Sequence, residues 1–429
     1  MTLVFCKKYQ VKLCAEKTKL QVFSTRQTDD IAEYHTKTFS MKIEGEDIKF
    51  VDSAEHVGIV RSTAGNLPTI LARFTAHKKA LGADLHTGVA RGHRGNPAAS
   101  LRVVRTYGTP VLLSGLAPLV LTKAEETMIE LHHKEIISNV QRLLPCTPRS
   151  VIFFLAGSLP GSALLHLRQL SNFGMITRLM DNILHTHATN IFTSATPSSS
   201  KSWFTNIRDL CLQYDLPHPL MLLRHPLSKE SFKRLVKKKV IDYWERFLRA
   251  EAAGLDSLVF FKPNFMSLSK PHPLWSTAGS SPSKVAMATI QAQMISGRFR
   301  TEQLCSNWSK NKAGICLLSP ACSMVTEDLP HILSLCPALQ PTRDKLRCYT
   351  RKYCENYCQE VSELVLNMCN QSSPPFCEFL LDCSPLPAVV SAAQVHGEEL
   401  LSHLFQITRT WTYTLHKERM KLLGRWNPV

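Results

Sequence analysis

Apolar positions alternate with polar ones near the start of the chain, as in the short run Leu20-Gln21-Val22-Phe23, and again around Met41 and Ile43, the turn Glu44-Gly45-Glu46, and Ile48 and Phe50. A two-residue period turns one face of a strand toward a core, so these stretches predict short strands and a hairpin closing near Gly58. Ahead of them Leu3, Val4, Tyr9 and Val11 give an imperfect helical face. Residues 1–66 carry too few apolar side chains for a core of their own and read as the edge of something larger.

From residue 67 onward the period lengthens to that of a helix. Ile70, Phe74, His77, Leu81 and Leu85 mark one helix, and Met128, Ile129, Ile136, Ile137, Val140 and Leu144 mark the next. Thr122 stands where a hydroxyl can accept from orphan amides, with Glu125 three residues on as the reciprocal partner of a capping box. Residues 159–191 continue as amphipathic helix starting after Pro160. The Ser/Thr/Pro stretch at 193–202 is the clearest linker in the chain. Beyond it a helix from Trp203 to Tyr214 is followed by the Pro217-His218-Pro219 interruption. A long helix capped by Ser228 then turns Phe232, Leu235, Val236, Val240, Tyr243, Trp244, Phe247 and Leu248 inward. A helix over residues 283–296 precedes a cysteine-rich segment, and residues 398–423 form a last helix with Leu401, Leu404, Phe405, Trp411 and Leu415 inward. No internal repeat survives inspection, which argues against a solenoid.

Composition narrows the class. With 44% apolar and 20% charged residues over 429 positions, the chain is that of a folded protein with two or three domains' worth of core. A formal charge of +17 favours an anionic partner, since closely spaced phosphates reward a basic surface through counterion release. No apolar run reaches the roughly 18–20 residues needed to cross a bilayer. In the opening residues Lys7 and Lys8 follow the short apolar stretch rather than precede it, the wrong order for a secretory signal. Nucleus or cytoplasm is the expected location, with no membrane partner and no small-molecule substrate. Ten of the fourteen cysteines lie from Cys305 onward, and in a reducing compartment they read as thiols or metal ligands rather than as a disulfide framework.

One group of them has ligand-like spacing. Cys316, five residues, Cys322, eight residues, His331, four residues and Cys336 make a soft Cys-Cys-His-Cys set suited to tetrahedral zinc. Four protein ligands leave no place for a reactive water, so the expected role is structural. Asp328-Leu329-Pro330-His331 reads as a helix start that brings His331 and Cys336 to one point, and Pro320 supplies a turn in the wide front loop. The competing reading is a set of buried free thiols around a core histidine. Cys305 is a substitute ligand, whereas Cys348, Cys354 and Cys358 fall mostly at helical intervals and read as packed thiols.

Two basic clusters are candidate nucleic-acid surfaces. Arg73, Lys78, Lys79, Arg91, Arg94, Arg102 and Arg105 face a single acid, Asp84, and Gly88, Gly92 and Gly95 among them would let backbone approach a phosphate. Lys229, Lys233, Arg234, Lys237, Lys238 and Lys239 lie on the long amphipathic helix, where an ordinary solvated face explains them equally well. There is no Gly-Lys-Ser/Thr phosphate loop, no His-Glu-x-x-His helix and no Gly-x-Ser-x-Gly elbow. Asp29 and Asp30 read as first-turn helix residues, and the sequential His132 and His133 would point in different directions from a helix.

The order of Val11-Lys12-Leu13-Cys14-Ala15-Glu16-Lys17-Thr18-Lys19-Leu20, the turn Ala54-Glu55-His56-Val57-Gly58, the helices after it and the distant Cys-Cys-His-Cys segment resembles the C-terminal half of the reverse transcriptase of non-LTR (LINE-like) retrotransposons. The resemblance covers essentially the whole chain. It implies that Lys17 corresponds to the lysine of the fourth palm motif, near the incoming triphosphate, and Gly58 to the primer-grip glycine. The basic region from Arg73 would belong to the thumb along the template–primer duplex, and the Cys316 segment to the zinc knuckle. Cys14 stands where the family has Asn and Val57 where it has Leu. The aromatic-Ala-Asp-Asp motif that holds two Mg²⁺ ions does not occur in these residues.

The expected fold is mainly α with a small α+β N-terminal piece. Its parts are a palm remnant with a primer-grip-like hairpin (1–66), a helical thumb (67–192), a linker (193–202), a helical linker region (203–304), a CCHC zinc knuckle (305–345) and a helical tail (346–429). The expected function is that of a truncated RNA-directed DNA polymerase, inactive alone, that binds RNA or DNA; zinc is the structural cofactor, and Mg²⁺ belongs only to a full-length relative. The alternatives are an incomplete gene model of an active enzyme and a non-enzymatic helical interaction protein.

Overall fold

A computed structural model describes residues 18–21, 42–43, 46–56, 59–86, 95–180, 182–194, 202–308, 313–355, 359–371 and 373–425. Lys17, Gly58, Arg91 and Arg94 of the sequence-based site, and Asp29 and Asp30, lie outside the described residues.

The chain is mainly helical. Among the described residues six short strands come first: β1 (Lys19–Leu20), β2 (Lys42–Ile43), β3 (Glu46–Asp47), β4 (Lys49–Phe50), β5 (Ser53–His56) and β6 (Ile59–Ser62). They pair as three separate two-stranded pieces, β1 parallel to β4, β2 antiparallel to β3, and β5 antiparallel to β6 with Ala54 opposite Arg61. The expected hairpin around residue 44 is thus limited to Lys42↔Asp47 and Ile43↔Glu46, and a second hairpin follows at β5–β6. Among the described residues no apolar side chain before Ile70 is buried, in keeping with the weak apolar patterning of this segment. It leans on the helices instead: Thr69 Oγ1 donates to Val60 O, and Ile59 lies so close over Gly115 that a Cβ there would meet its Cδ1 at 2.5 Å.

Seventeen helices follow among the described residues: α1 (Leu67–His86), α2 (Pro97–Val103), α3 (Thr109–Leu112), α4 (Lys123–Val140), α5 (Arg149–Ala156), α6 (Gly161–Ile176), α7 (Ile183–Thr193), α8 (Trp203–Gln213), α9 (Pro219–Arg224), α10 (Lys229–Ala253), α11 (Pro273–Ser276), α12 (Pro282–Ile295), α13 (Glu302–Ser306), α14 (Gln340–Cys354), α15 (Gln359–Asn370), α16 (Pro375–Leu381) and α17 (Pro387–Leu422). A π-type turn, Val104–Gly108, joins α2 to α3. The capping box forms as the sequence suggested: Glu125 N donates to Thr122 Oγ1, and Thr122 N donates to Glu125 Oε2. Ser228 caps α10 by accepting from Ser231 N.

Three expectations change. Residues 159–191 are not one helix: α6 stops at Ile176 and α7 restarts only after Asn182 accepts from Leu184 N. On α10, Phe232, Val236, Val240, Trp244 and Leu248 are buried but Phe247 is 42% exposed, because the helix packs along one narrow stripe and Phe247 falls to its side. The last helix begins eleven residues earlier than expected, at Pro387 rather than 398, and is broken at Gly397, whose φ of 69° and ψ of −160° suit glycine alone.

One buried cluster runs from Leu81 through α4, α5, α6, α10 and α12 to Leu415 of α17, and a smaller one joins Ile70, Leu112, Leu113, Leu116, Ile129 and Leu165. Among the described residues no single helix is long and apolar enough to cross a membrane. The pair α5 and α6, bent by 63°, passes by length and composition, yet every α5 side chain from Ser150 to Ala156 is buried inside the protein.

Candidate metal centre and basic surface

The cysteine segment is built on a narrow antiparallel ladder. Cys316 N donates to Val325 O at 2.8 Å and Glu327 N to Gly314 O at 3.0 Å, with a bridge between Ile315 and Thr326. The wide front loop is closed by Pro320, which opens a tight turn over Pro320–Cys322; Ser319 accepts from Ala321 N through its hydroxyl and from Cys322 N through its carbonyl. The back half opens where Asp328 Oδ1 accepts from His331 N at 2.7 Å. One π-type turn, His331–Leu335, then ends with Cys336 N donating to His331 O at 2.7 Å. A five-residue offset in a π-type turn returns the chain over its starting point, which is how His331 and Cys336 reach one place.

The four side chains converge. One ligand atom from each of Cys316, Cys322, His331 and Cys336 lies within 4.8 Å of the others, and all four residues are buried. Cys316 Sγ and Cys336 Sγ are 3.9 Å apart. Two thiolates on a tetrahedral zinc, each about 2.3 Å from the ion, would stand about 3.8 Å apart, so the spacing fits. His331 Nε2 is buried without a hydrogen-bond partner, which is costly for a polar atom unless something occupies the space it faces. Burial disfavours the charged forms, pushing Cys316, Cys322 and Cys336 above the usual thiol range and His331 below the usual imidazole range. A cation at the centre would reverse the preference of the thiols, by stabilising thiolate, and would keep the imidazole in the neutral form that burial already favours. The arrangement can hold a metal ion.

Supports around the set come from both near and far in sequence. Arg343 Nη2 donates to Cys336 O at 2.6 Å, fixing the last ligand from α14. Glu327, fully buried beside the ladder, accepts from Glu302 N and from Arg419 Nη2 of α17, and Arg425 Nη1 reaches Glu302 Oε1 at 2.9 Å. Sequence spacing could not reveal the Glu327–Arg419 pair, whose members are 92 residues apart. Cys305 is not part of the four-ligand group, nor are Cys348 and Cys354; Cys358 lies outside the described residues. Among the described residues there is no second such group and no disulfide.

No protein-family model matches the chain, and no curated protein or solved structure matches it. The likeness to reverse transcriptases therefore rests on the sequence motifs alone.

Of the first basic cluster, Arg73, Lys78 and Lys79 are on α1, Arg102 is on α2 and Arg105 on the π-type turn. Lys78, Lys79, Arg102 and Arg105 are exposed and make no ion pair among the described residues. Arg105 is drawn below the usual guanidinium range by burial and by the neighbouring charge of Arg102. In the second cluster Lys229, Lys233, Arg234, Lys237 and Lys238 are exposed, while Lys239 pairs with Asp215. His132 and His133 diverge as a helix requires. His132 stacks on Phe74 and meets His77 Nδ1 through Nε2 at 3.0 Å, whereas His133 stacks on Phe153.

Proposed function

We propose that this chain is the part of a LINE-like reverse transcriptase that follows the catalytic aspartates, and that it acts as a zinc-stabilised nucleic-acid-binding unit without polymerase activity of its own. The observation that carries the reading is the buried Cys316, Cys322, His331 and Cys336 set, in the order and place that the family's zinc knuckle would occupy. Zinc held there cross-links the ladder, the π-type turn and, through Glu327 and Arg343, helices α14 and α17. The helices from Leu67 to Thr193 would correspond to the thumb, and the strands before them to the trailing palm edge.

Binding rather than catalysis follows from the residue inventory. A +17 chain with exposed, unpaired cations on α1, α2 and α10 offers phosphate contacts, while no aromatic-Ala-Asp-Asp sequence is present to hold two Mg²⁺ ions. Titration of the full chain with a labelled RNA–DNA duplex at several salt concentrations tests this. Affinity should fall roughly tenfold or more between 50 and 200 mM salt if three or more phosphates are neutralised. Salt-independent affinity, or primer extension by the chain alone, would refute the reading.

A further inference from the structure

Apart from the cysteine–histidine set, the described residues form a half-open cavity of about 330 Å³ between the π-type turn, α3, α6 and α10. Three cations from three elements line it, Arg105, Arg168 and Lys237, and no carboxylate does. None of the three makes an ion pair among the described residues. Arg168 is the one Asp, Glu, Lys or Arg in the 16-residue helix α6, so the helix supplies no carboxylate beside it. Partial desolvation, joined at Arg105 by the charge of Arg102, draws both guanidiniums below their ordinary range, Arg168 being half-buried and Arg105 standing at the exposed rim.

The wall is fixed before any ligand arrives. Arg105 Nη2 donates to Gly157 O at 2.9 Å, and Gly157 sits at φ 58° against the backbone of Lys270, where a Cβ would come within 2.0 Å. The floor is aliphatic: Leu113, Leu164, Leu167 and Ile241. A bare phosphate would use the cations and leave that floor empty, whereas a double helix presents no free base to a concave site. An unpaired nucleotide satisfies both halves, its phosphate on the cations and its base and sugar on the hydrocarbon, with a guanidinium plane available for stacking. The volume lies in the range that encloses a small ligand.

We propose that this cavity takes one unpaired nucleotide of a bound single strand, with Arg105, Arg168 and Lys237 holding its phosphate. The proposal rests on the reading of the chain as a nucleic-acid-binding protein and names a site within it.

The test is titration of the full chain with fluorescent 12-nucleotide oligo(dT) and oligo(rU), comparing wild type with an Arg105→Gln/Arg168→Gln/Lys237→Gln variant. A Lys345→Gln/Arg351→Gln/Lys352→Gln variant removes equal charge at exposed positions of α14, outside the cavity and outside both basic clusters. The cavity variant should bind at least about tenfold more weakly than the control variant. Uridine monophosphate should also displace the oligonucleotide from wild type. Because Arg105 also holds the Gly157 carbonyl, Lys237→Glu alone, at an exposed position, serves as the second variant and should weaken binding in the same direction. Equal losses in both triple variants, or none, would overturn the cavity proposal and leave nucleic-acid binding standing. Failure of wild type to bind either oligonucleotide while it binds the RNA–DNA duplex would overturn the cavity proposal alone, and failure to bind all three would overturn both.

Discussion

Cys336 is held at three points: its amide by His331 O, its carbonyl by Arg343 and its sulfur 3.9 Å from that of Cys316. A side chain so placed tolerates little change in chemistry. Cys336→Ser keeps the size but replaces a soft thiolate with a hydroxyl, so metal retention should be lost and the melting temperature should drop by roughly 5 °C or more. Differential scanning calorimetry before and after chelation would show the same drop in wild type and none in the variant. The spacing of these four residues was legible in the sequence because metal ligands must recur within a short loop. Glu327 and Arg419, which hold the loop in place, were not, since an ion pair across 92 residues leaves no local pattern.

The buried histidines make a second residue-scale prediction. Burial, reinforced for His77 by the charges of His132 and His133, holds His77 at about 3 and His133 at about 4 instead of 6.5. The unfolded chain therefore binds protons that the folded chain refuses. Stability from these groups is present above pH 6.5 and is lost as pH falls from there toward 4, by on the order of 1–2 kcal/mol per histidine at pH 5. Urea unfolding at pH 7 and pH 5 should show that loss, and His133→Phe, which keeps a ring against Phe153, should shrink it. An unchanged difference in the variant would contradict the assignment.

Among elements, caps and stripes were the readable part. Thr122 with Glu125 and Ser228 mark helix starts by local chemistry alone, so α4 and α10 begin where the sequence places them. Thr122→Ala should cost about 0.5–2 kcal/mol in chemical denaturation. Breaks were harder to read. The gap between α6 and α7 depends on Asn182 acting as a cap, and the bend in α17 on a single residue, Gly397, within an otherwise continuous apolar pattern. Gly157 is another such position, since nothing in its sequence shows that Lys270 passes against it. Gly157→Ala should destabilise by about 2–4 kcal/mol, through backbone strain at positive φ and overlap with that segment.

At the scale of the molecule, a single buried cluster reaching from Leu81 to Leu415 means that the cysteine segment is packed into the main core. Leu333 and Leu339 belong to that cluster, as do the sulfur-bearing residues Cys316, Cys322 and Cys336. The four-residue cysteine–histidine set is thus a joint between the ladder and the helical tail. The strands before α1 contribute almost nothing to this core: a hairpin was legible from local alternation, whereas the parallel pairing of β1 with β4, thirty residues apart, depends on contacts the apolar pattern does not encode.

The central claim is that Cys316, Cys322, His331 and Cys336 form a metal centre that this chain needs to stay folded. Native mass spectrometry of the purified full chain, with elemental identification of any bound ion, tests it most directly. The account predicts about one zinc per chain in wild type and loss of that ion in a Cys316→Ser/Cys336→Ser variant. A wild-type chain that stays folded without metal, or a variant that retains the same ion, would contradict it.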